Sequence, residues 1–386
     1  MRVRTLVAAL LVAAAVATPA AAGPIIGQIP DIGGMNGYFS MCLKYKGQQE
    51  WSCYLTHLRS AVLKYRDPAR QLPQLDVVVE RSGGFLAGNC HMLMHVVGRD
   101  YARAHHVTLQ TLQQYLPLSN DPGCSAGFGM GLVMGLSKQI FDDGPKGANA
   151  LCDKAPTRMR NYTCYHSLGH AYMRFFHGGL TYALDACRAL GAQALDCEQG
   201  SFHDYWLARS GEDGARFDKN APATARQLCA RQKGLVVVAC WYRYYLSLPP
   251  KRPPSTPARI EALCRGLAGL QREGCIASAS LVSDLDPTRQ FSICAKLPVG
   301  DIDSCLRGVG TQNLPEPIVA GQKLIAGCGK LAAAARSGCY EWFGVSLTVL
   351  SDGRFASLGC KMLRGDARTA CLAGAKRERD PLVTFA

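Results

Sequence analysis

A chain of 386 residues that is 48% hydrophobic and 19% charged has enough apolar content to bury a sizeable core, which excludes a disordered or fibrous protein. The formal net charge of +14 is spread along the chain in scattered Lys and Arg, with only short runs such as "KRPPS" and "KRERD". No aromatic-interleaved basic cluster accompanies them, so nucleic acid is not an expected partner; a peptide, a protein or a polyanionic envelope polymer suits the charge better.

The first 22 residues, "MRVRTLVAALLVAAAVATPAAA", combine two arginines, a short Leu/Val/Ala core and small residues before Gly23. That is the build of a secretory signal peptide, too short and too alanine-rich for a stable membrane span. No later stretch is long and uncharged enough to cross a bilayer, so the expectation is an exported protein, periplasmic or secreted. Residues 23–36 read as a linker. Eighteen cysteines then fit the oxidising compartment that such a leader implies.

From residue 37 the cysteines recur in pairs ten to twelve positions apart: Cys42/Cys53, Cys152/Cys164, Cys187/Cys197, Cys229/Cys240, Cys264/Cys275, Cys294/Cys305, Cys328/Cys339 and Cys360/Cys371. Cys90 and Cys124 sit where the second cysteine of a unit belongs and are expected to pair with each other. Apolar segments with helical spacing precede the first cysteine of a pair ("YALDACRAL", "IEALCRGL", "RFASLGCKML"). Polar or glycine-containing turns ("GAQALD", "GLQRE", "RGDART") lie between the two, and a second apolar segment follows. Each unit thus predicts helix, turn, helix, with a disulfide near the turn. Gly127, Gly200, Gly308 and Gly374, each three residues after a second cysteine, predict close approach of two helices. The fold class expected is all-α: about ten disulfide-stapled helical hairpins of about 35 residues, stacked into a solenoid or curved array.

Two interruptions mark the chain. "SGEDGARFDKNAPAT" (Ser210 to Thr224) predicts a long polar loop, and "PPKRPPSTP" (residues 249–257) a stiff linker. The linker separates His-bearing repeats over 37–248 from a second group over 258–376, and 377–386 form a tail. The row of Cys-paired hairpins resembles the cysteine-rich, tetratricopeptide-like solenoid proteins of bacterial envelopes. That resemblance covers most of the chain as architecture and implies a binding scaffold. The cysteine spacing is wider here, and the tetratricopeptide Trp/Leu-Gly/Tyr pattern is missing.

All nine histidines lie between residues 57 and 203, an asymmetry that pure scaffolding does not explain. "NCHMLMHVVG" and "CYHSLGHAYM" each place two imidazoles four residues apart, one helical turn, on a single face where both can reach one ion. His91, His95, His166 and His170 are therefore candidate metal ligands. His203, six residues after its cysteine as His170 is, is a fifth. Asp100, Glu198 and Asp204 are candidate carboxylate partners. With the cysteines bonded to one another the site is nitrogen-rich and suits copper, zinc or iron; Met92, Met94, Met130, Met134 and Met173 lean towards copper, although methionine more often fills cores. An oxidase or hydroxylase is the activity such an ion supports, and no catalytic residue is assigned.

Blander readings compete. A single His pair is commonly a surface or capping feature, and His57, His105, His106 and His177 read as surface, turn or helix-end residues. The two pairs also differ in phase, since His91 follows its cysteine by one residue and His166 by two, a rotation of about 100° on a helix. "CWYRYYL" and "CYEWFG" place aromatics that suit either a groove or the core. There is no H-E-x-x-H, no C-x-x-C-H and no phosphate loop in "CSAGFGMGLVMGL". The competing function is a metal-free envelope scaffold that binds a peptide, protein or wall polymer.

Overall fold

The structure is a computed structural model that describes residues 39–117, 123–155, 158–210, 224–248, 250–282, 287–312, 320–351 and 356–377. The expected leader, the 23–36 linker, most of the Ser210 to Thr224 loop and residues 378–386 lie outside them. Among the described residues there are eighteen α-helices and no strand. In chain order they are α1 (Gln48–Val62), α2 (Pro68–Ser82), α3 (Gly84–Ala104), α4 (Cys124–Gly135), α5 (Ser137–Cys152), α6 (Arg158–Phe175), α7 (Leu180–Arg188), α8 (Ala194–Ser210) and α9 (Ala225–Cys229). There follow α10 (Val236–Ser247), α11 (Pro257–Leu263), α12 (Gly269–Leu281), α13 (Pro287–Cys294), α14 (Val299–Gln312), α15 (Ala320–Gly329), α16 (Ala333–Ser351), α17 (Ala356–Lys361) and α18 (Gly365–Lys376). No helix is long and apolar enough to cross a membrane.

Local chemistry sets several boundaries. Thr224 and Thr256 cap α9 and α11, their side chains accepting from the amides of Gln227 and Arg259, and Pro257 opens α11 where a missing N–H costs nothing. In α5 the run breaks at Gly144, whose φ of 70° only glycine adopts readily, and Pro145 restarts it. Residues 250–256 of the proline-rich segment are non-helical, and α10 packs directly against α12 across them.

Nine disulfides join Cys42 to Cys53, Cys90 to Cys124, Cys152 to Cys164, Cys187 to Cys197, Cys229 to Cys240, Cys264 to Cys275, Cys294 to Cys305, Cys328 to Cys339 and Cys360 to Cys371. No cysteine is free. Cys152–Cys164 ties the end of α5 to α6, and from Cys187 onward each pair ties the end of a short helix to the longer helix after it. Closing loops of this length stabilises by about 2 to 3 kcal/mol each in the chain-entropy view. Cys90–Cys124 differs, because it ties α3 directly to the first residue of α4.

The long helices α3, α4, α6, α8, α10, α12, α14, α16 and α18 pack in succession, each on the next. The other helices flank them, and α16 also reaches back to touch α6. Glycine sets the spacing in this succession: a methyl placed on Gly200 would lie 1.8 Å from the His166 carbonyl oxygen, and one on Gly127 would lie 2.1 Å from that of His91. Gly308 and Gly374 approach the Ala277 and Glu341 carbonyls in the same way. Polar ties reinforce the stack, with the Trp206 indole donating to the Cys240 carbonyl and the Ser278 hydroxyl to that of Tyr242. The aromatics after Cys240 and Cys339, among them Trp241, Tyr242, Trp342 and Phe343, are buried core residues.

Candidate metal centre

Three long helices carry the five candidate histidines. His91 and His95 lie one turn apart on α3, His166 and His170 one turn apart on α6, and His203 on α8. Four of the five are buried, and His91 is half-buried. Facing one another, the rings form a continuous cluster: His91 to His95 at 4.8 Å between centroids, His95 to His170 at 5.1 Å, His166 to His170 at 5.0 Å and His170 to His203 at 5.1 Å.

The nitrogens converge as well as the rings. His166 Nε2 lies 3.2 Å from His170 Nε2 and 3.2 Å from His203 Nδ1. One atom from each of His166, His170 and His203 lies within 4.8 Å of the other two, so this buried group could hold a metal ion. Two nitrogens 3.2 Å apart, each about 2.05 Å from a common ion, subtend about 100°, near the tetrahedral angle that zinc prefers.

Outer partners fix where the ring protons sit. Asp204 Oδ1 is 3.2 Å from His170 Nδ1, and the Arg174 guanidinium donates to the same carboxylate. Burial pushes the Asp204 carboxyl up, but Arg174 and the bond to His170 outweigh it and hold the group below its ordinary value. An ionised Asp204 only accepts, so the proton of a neutral His170 is on Nδ1 and its Nε2 is bare. His166 has a different outer partner: the Tyr162 hydroxyl lies 3.1 Å from its Nδ1 and 3.2 Å from Gln199 Oε1, and receives a bond from Arg243 Nη2. Burial above all pushes the Tyr162 phenol up to about 12, against the pull of Arg243, so it stays protonated.

The two Nε2 atoms of His166 and His170 face each other at 3.2 Å. A proton or a cation must lie between nitrogens that close, and three converging imidazoles suit a metal ion. Burial, followed by the charges of neighbouring histidines and Arg174 or Arg243, holds His95, His166 and His203 well below the ordinary histidine range. Neutral imidazole is the ligating form.

The other candidates lie elsewhere. Asp100 is not a partner of the cluster; it pairs with Arg59 at 2.9 Å. Glu198 sits 3.4 Å from Arg188 Nε. Met94 and Met173 belong to the hydrophobic core, and Met92 packs against it. His105 stacks on Tyr101 at the end of α3, and His106 and His177 have positive φ in turns. His57 is near Cys42 and Cys53, but those sulfurs are bonded to each other and offer no thiolate. Sequence reasoning did not pick out Tyr162, Gln199, Arg174 or Arg243. Tyr162 and Arg174 carry a usable signal, since each lies one helical turn from a candidate ligand on α6.

Two expected results arise from these partners. Asp204→Asn keeps the shape but no longer dictates the His170 tautomer, so metal affinity measured by competition with a chromogenic chelator is expected to fall about 10- to 100-fold. Glu198 tests burial away from the cluster: burial pushes its carboxyl from 4.5 up to about 7 despite Arg188. Below pH 4.5 the group is protonated whether the chain is folded or not, and above pH 7 the folded state bears the full cost of a buried carboxylate. Glu198→Gln should therefore melt with the wild type at pH 4 and above it at pH 8, by up to about 3 kcal/mol in unfolding free energy.

No protein-family model, no curated protein and no solved structure matches this chain.

Proposed function

We propose that the protein is an exported, disulfide-rich helical metalloprotein in which His166, His170 and His203 hold a transition-metal ion, copper, zinc or iron. The observation that carries this reading is the meeting of three buried ring nitrogens, with Asp204 set to take the Nδ1 proton of His170 and the Tyr162 hydroxyl beside His166 Nδ1. A metal-free scaffold gives no reason for three imidazoles to be buried against one another. An ion with three protein ligands keeps a position open, and there it can activate water or dioxygen, the chemistry of a metal-dependent hydroxylase or oxidase.

The chain's own residues divide the remaining work. Asp204 and Arg174 orient His170, while Tyr162, Gln199 and Arg243 orient His166 and keep a positive charge close to the centre. Nine disulfides and the leader-like first residues support export. The succession of stapled hairpins supports a solenoid-like array with its histidines on the inward side.

Elemental analysis of purified, oxidised protein after reconstitution with copper, zinc or iron tests this. At least one equivalent per chain is expected to survive dialysis in the wild type and to be lost in a His166→Ala/His170→Ala variant. Wild-type protein that retains no metal would sink the proposal.

A further inference from the structure

We infer that Arg243 and Gln199 form a binding site for a small carboxylate or carbonate anion, behind the side chains that surround the histidines. Neither residue is a proposed metal ligand, so the site stands or falls apart from the metal reading, which supplies its use.

Arg243, on α10, is buried at 5% exposure. Its guanidinium donates to the Tyr162 hydroxyl and, at 3.3 Å, to Gln199 Oε1, both neutral groups. The Tyr242 ring stands 5.6 Å away, a weak substitute for a counter-charge. Other arginines that are at least partly buried are treated differently: Arg174 pairs with Asp204, Arg272 with Asp301 and Arg307 with Asp303. Among the described residues no carboxylate pairs with Arg243. Asp196 bears on the Tyr162 phenol, after burial and Arg243, but makes no ion pair with the guanidinium. A buried charge without a partner is costly, and a bound anion removes that cost.

Both side chains also hold a donor in reserve. Arg243 Nε and Gln199 Nε2 are buried and have no hydrogen-bond partner. Turning the Gln199 amide over gives no relief, because its nitrogen would then face the Arg243 donor. The spare donors are neighbours: Nε shares a carbon with Nη2, Nε2 shares one with Oε1, and Nη2 and Oε1 are 3.3 Å apart. Donors without an acceptor call for a ligand that accepts at more than one oxygen. Water accepts from them but leaves the charge in place. The planar, paired oxygens of a carboxylate or carbonate satisfy both needs and match the guanidinium edge.

The position of the pair gives the anion a role. The Tyr162 hydroxyl that Arg243 and Gln199 both contact is 3.1 Å from His166 Nδ1. After burial, Arg243 is the largest influence holding His166 and His203 well below the ordinary histidine range. An anion on Arg243 offsets the charge that opposes a cation at those rings.

Formate, acetate and bicarbonate, each compared with chloride at equal ionic strength, are the probes. The readout is the melting temperature of the full oxidised chain, freed of metal by a chelator. The wild type is expected to gain saturably from these anions and not from chloride. A tighter response to bicarbonate marks inorganic carbonate as the ligand, and a tighter response to formate or acetate the carboxylate of an organic acid. Arg243→Lys keeps a charge but not the fork, and should weaken the response about tenfold or more. Gln199→Glu supplies the missing carboxylate from the chain itself, so it should melt above the anion-free wild type and no longer respond to the probes. Beside an arginine that needed no counter-charge, the same buried carboxylate would lower the melting temperature. A wild type that gains no more than in chloride, or a Gln199→Glu variant that melts lower or keeps the response, would overturn the site. Copper retention measured on the same protein separates the two readings: an anion response without retained copper removes the metal reading alone.

Discussion

His170→Ala, made in the full oxidised chain, is expected to weaken metal binding by far more than the about 10- to 100-fold that changes to outer partners cost. Its Nε2 is one of three converging nitrogens, and His166 and His203 alone leave two ligands where a stable site needs three or four. The substitution also takes from Asp204 one of its two partners, leaving Arg174 to hold a buried carboxylate. The readout is thermal. An ion at a hundredfold excess over its dissociation constant stabilises the folded wild type by about 2.7 kcal/mol, and that gain should vanish in the variant. His170→Gln, which keeps volume and a polar tip, separates loss of the ligand from loss of packing. A wild type and variant that gain equally on metal addition would show that the ion binds elsewhere.

Gly200→Ala should be among the most damaging single-methyl changes away from the histidines themselves. The added carbon would stand 1.8 Å from the His166 carbonyl oxygen and 3.3 Å from Gly169 Cα, both backbone atoms that no rotamer change can move. α6 and α8 must then separate by more than an ångström. Overpacking of well-packed cores costs about 1 to 3 kcal/mol, and the top of that range or beyond applies where backbone is struck. The same shift draws His203 on α8 away from His166 on α6, so metal affinity falls along with the melting temperature. Gly88→Ala on α3 is the control: exposed, with nothing within 4 Å of the new methyl. It should stabilise the chain by about 0.5 to 1 kcal/mol, as glycine to alanine does in an open helix.

The staples were legible because a disulfide constrains two positions at once, and a spacing of ten to twelve residues admits few local geometries other than a helical hairpin. The close approach at Gly127, Gly200, Gly308 and Gly374 was legible for a similar reason: a recurrent glycine at a fixed offset has few uses. The phase of the His pairs was not. Counted from cysteine, His91 is one residue out of step with His166. Counted from the glycine contact, the two agree, since Gly127 meets the His91 carbonyl as Gly200 meets that of His166. Cys90 is the displaced member, because it bonds to the next long helix and not to a short helix of its own unit. The meeting of α3 with α6 past the intervening α4 depends on how sharply the succession of helices turns, which no local pattern encodes. Arg243 escaped notice for the same reason, since it reaches Tyr162 from α10, a helix that begins beyond the last histidine.

The histidines end at residue 203, yet α16, more than a hundred positions later, rests against the helix that bears two of them. The distal third of the polypeptide thus braces a helix of the proposed site while lending it no ligand. Truncation beyond α12 would spare every imidazole and still remove one of the supports of α6.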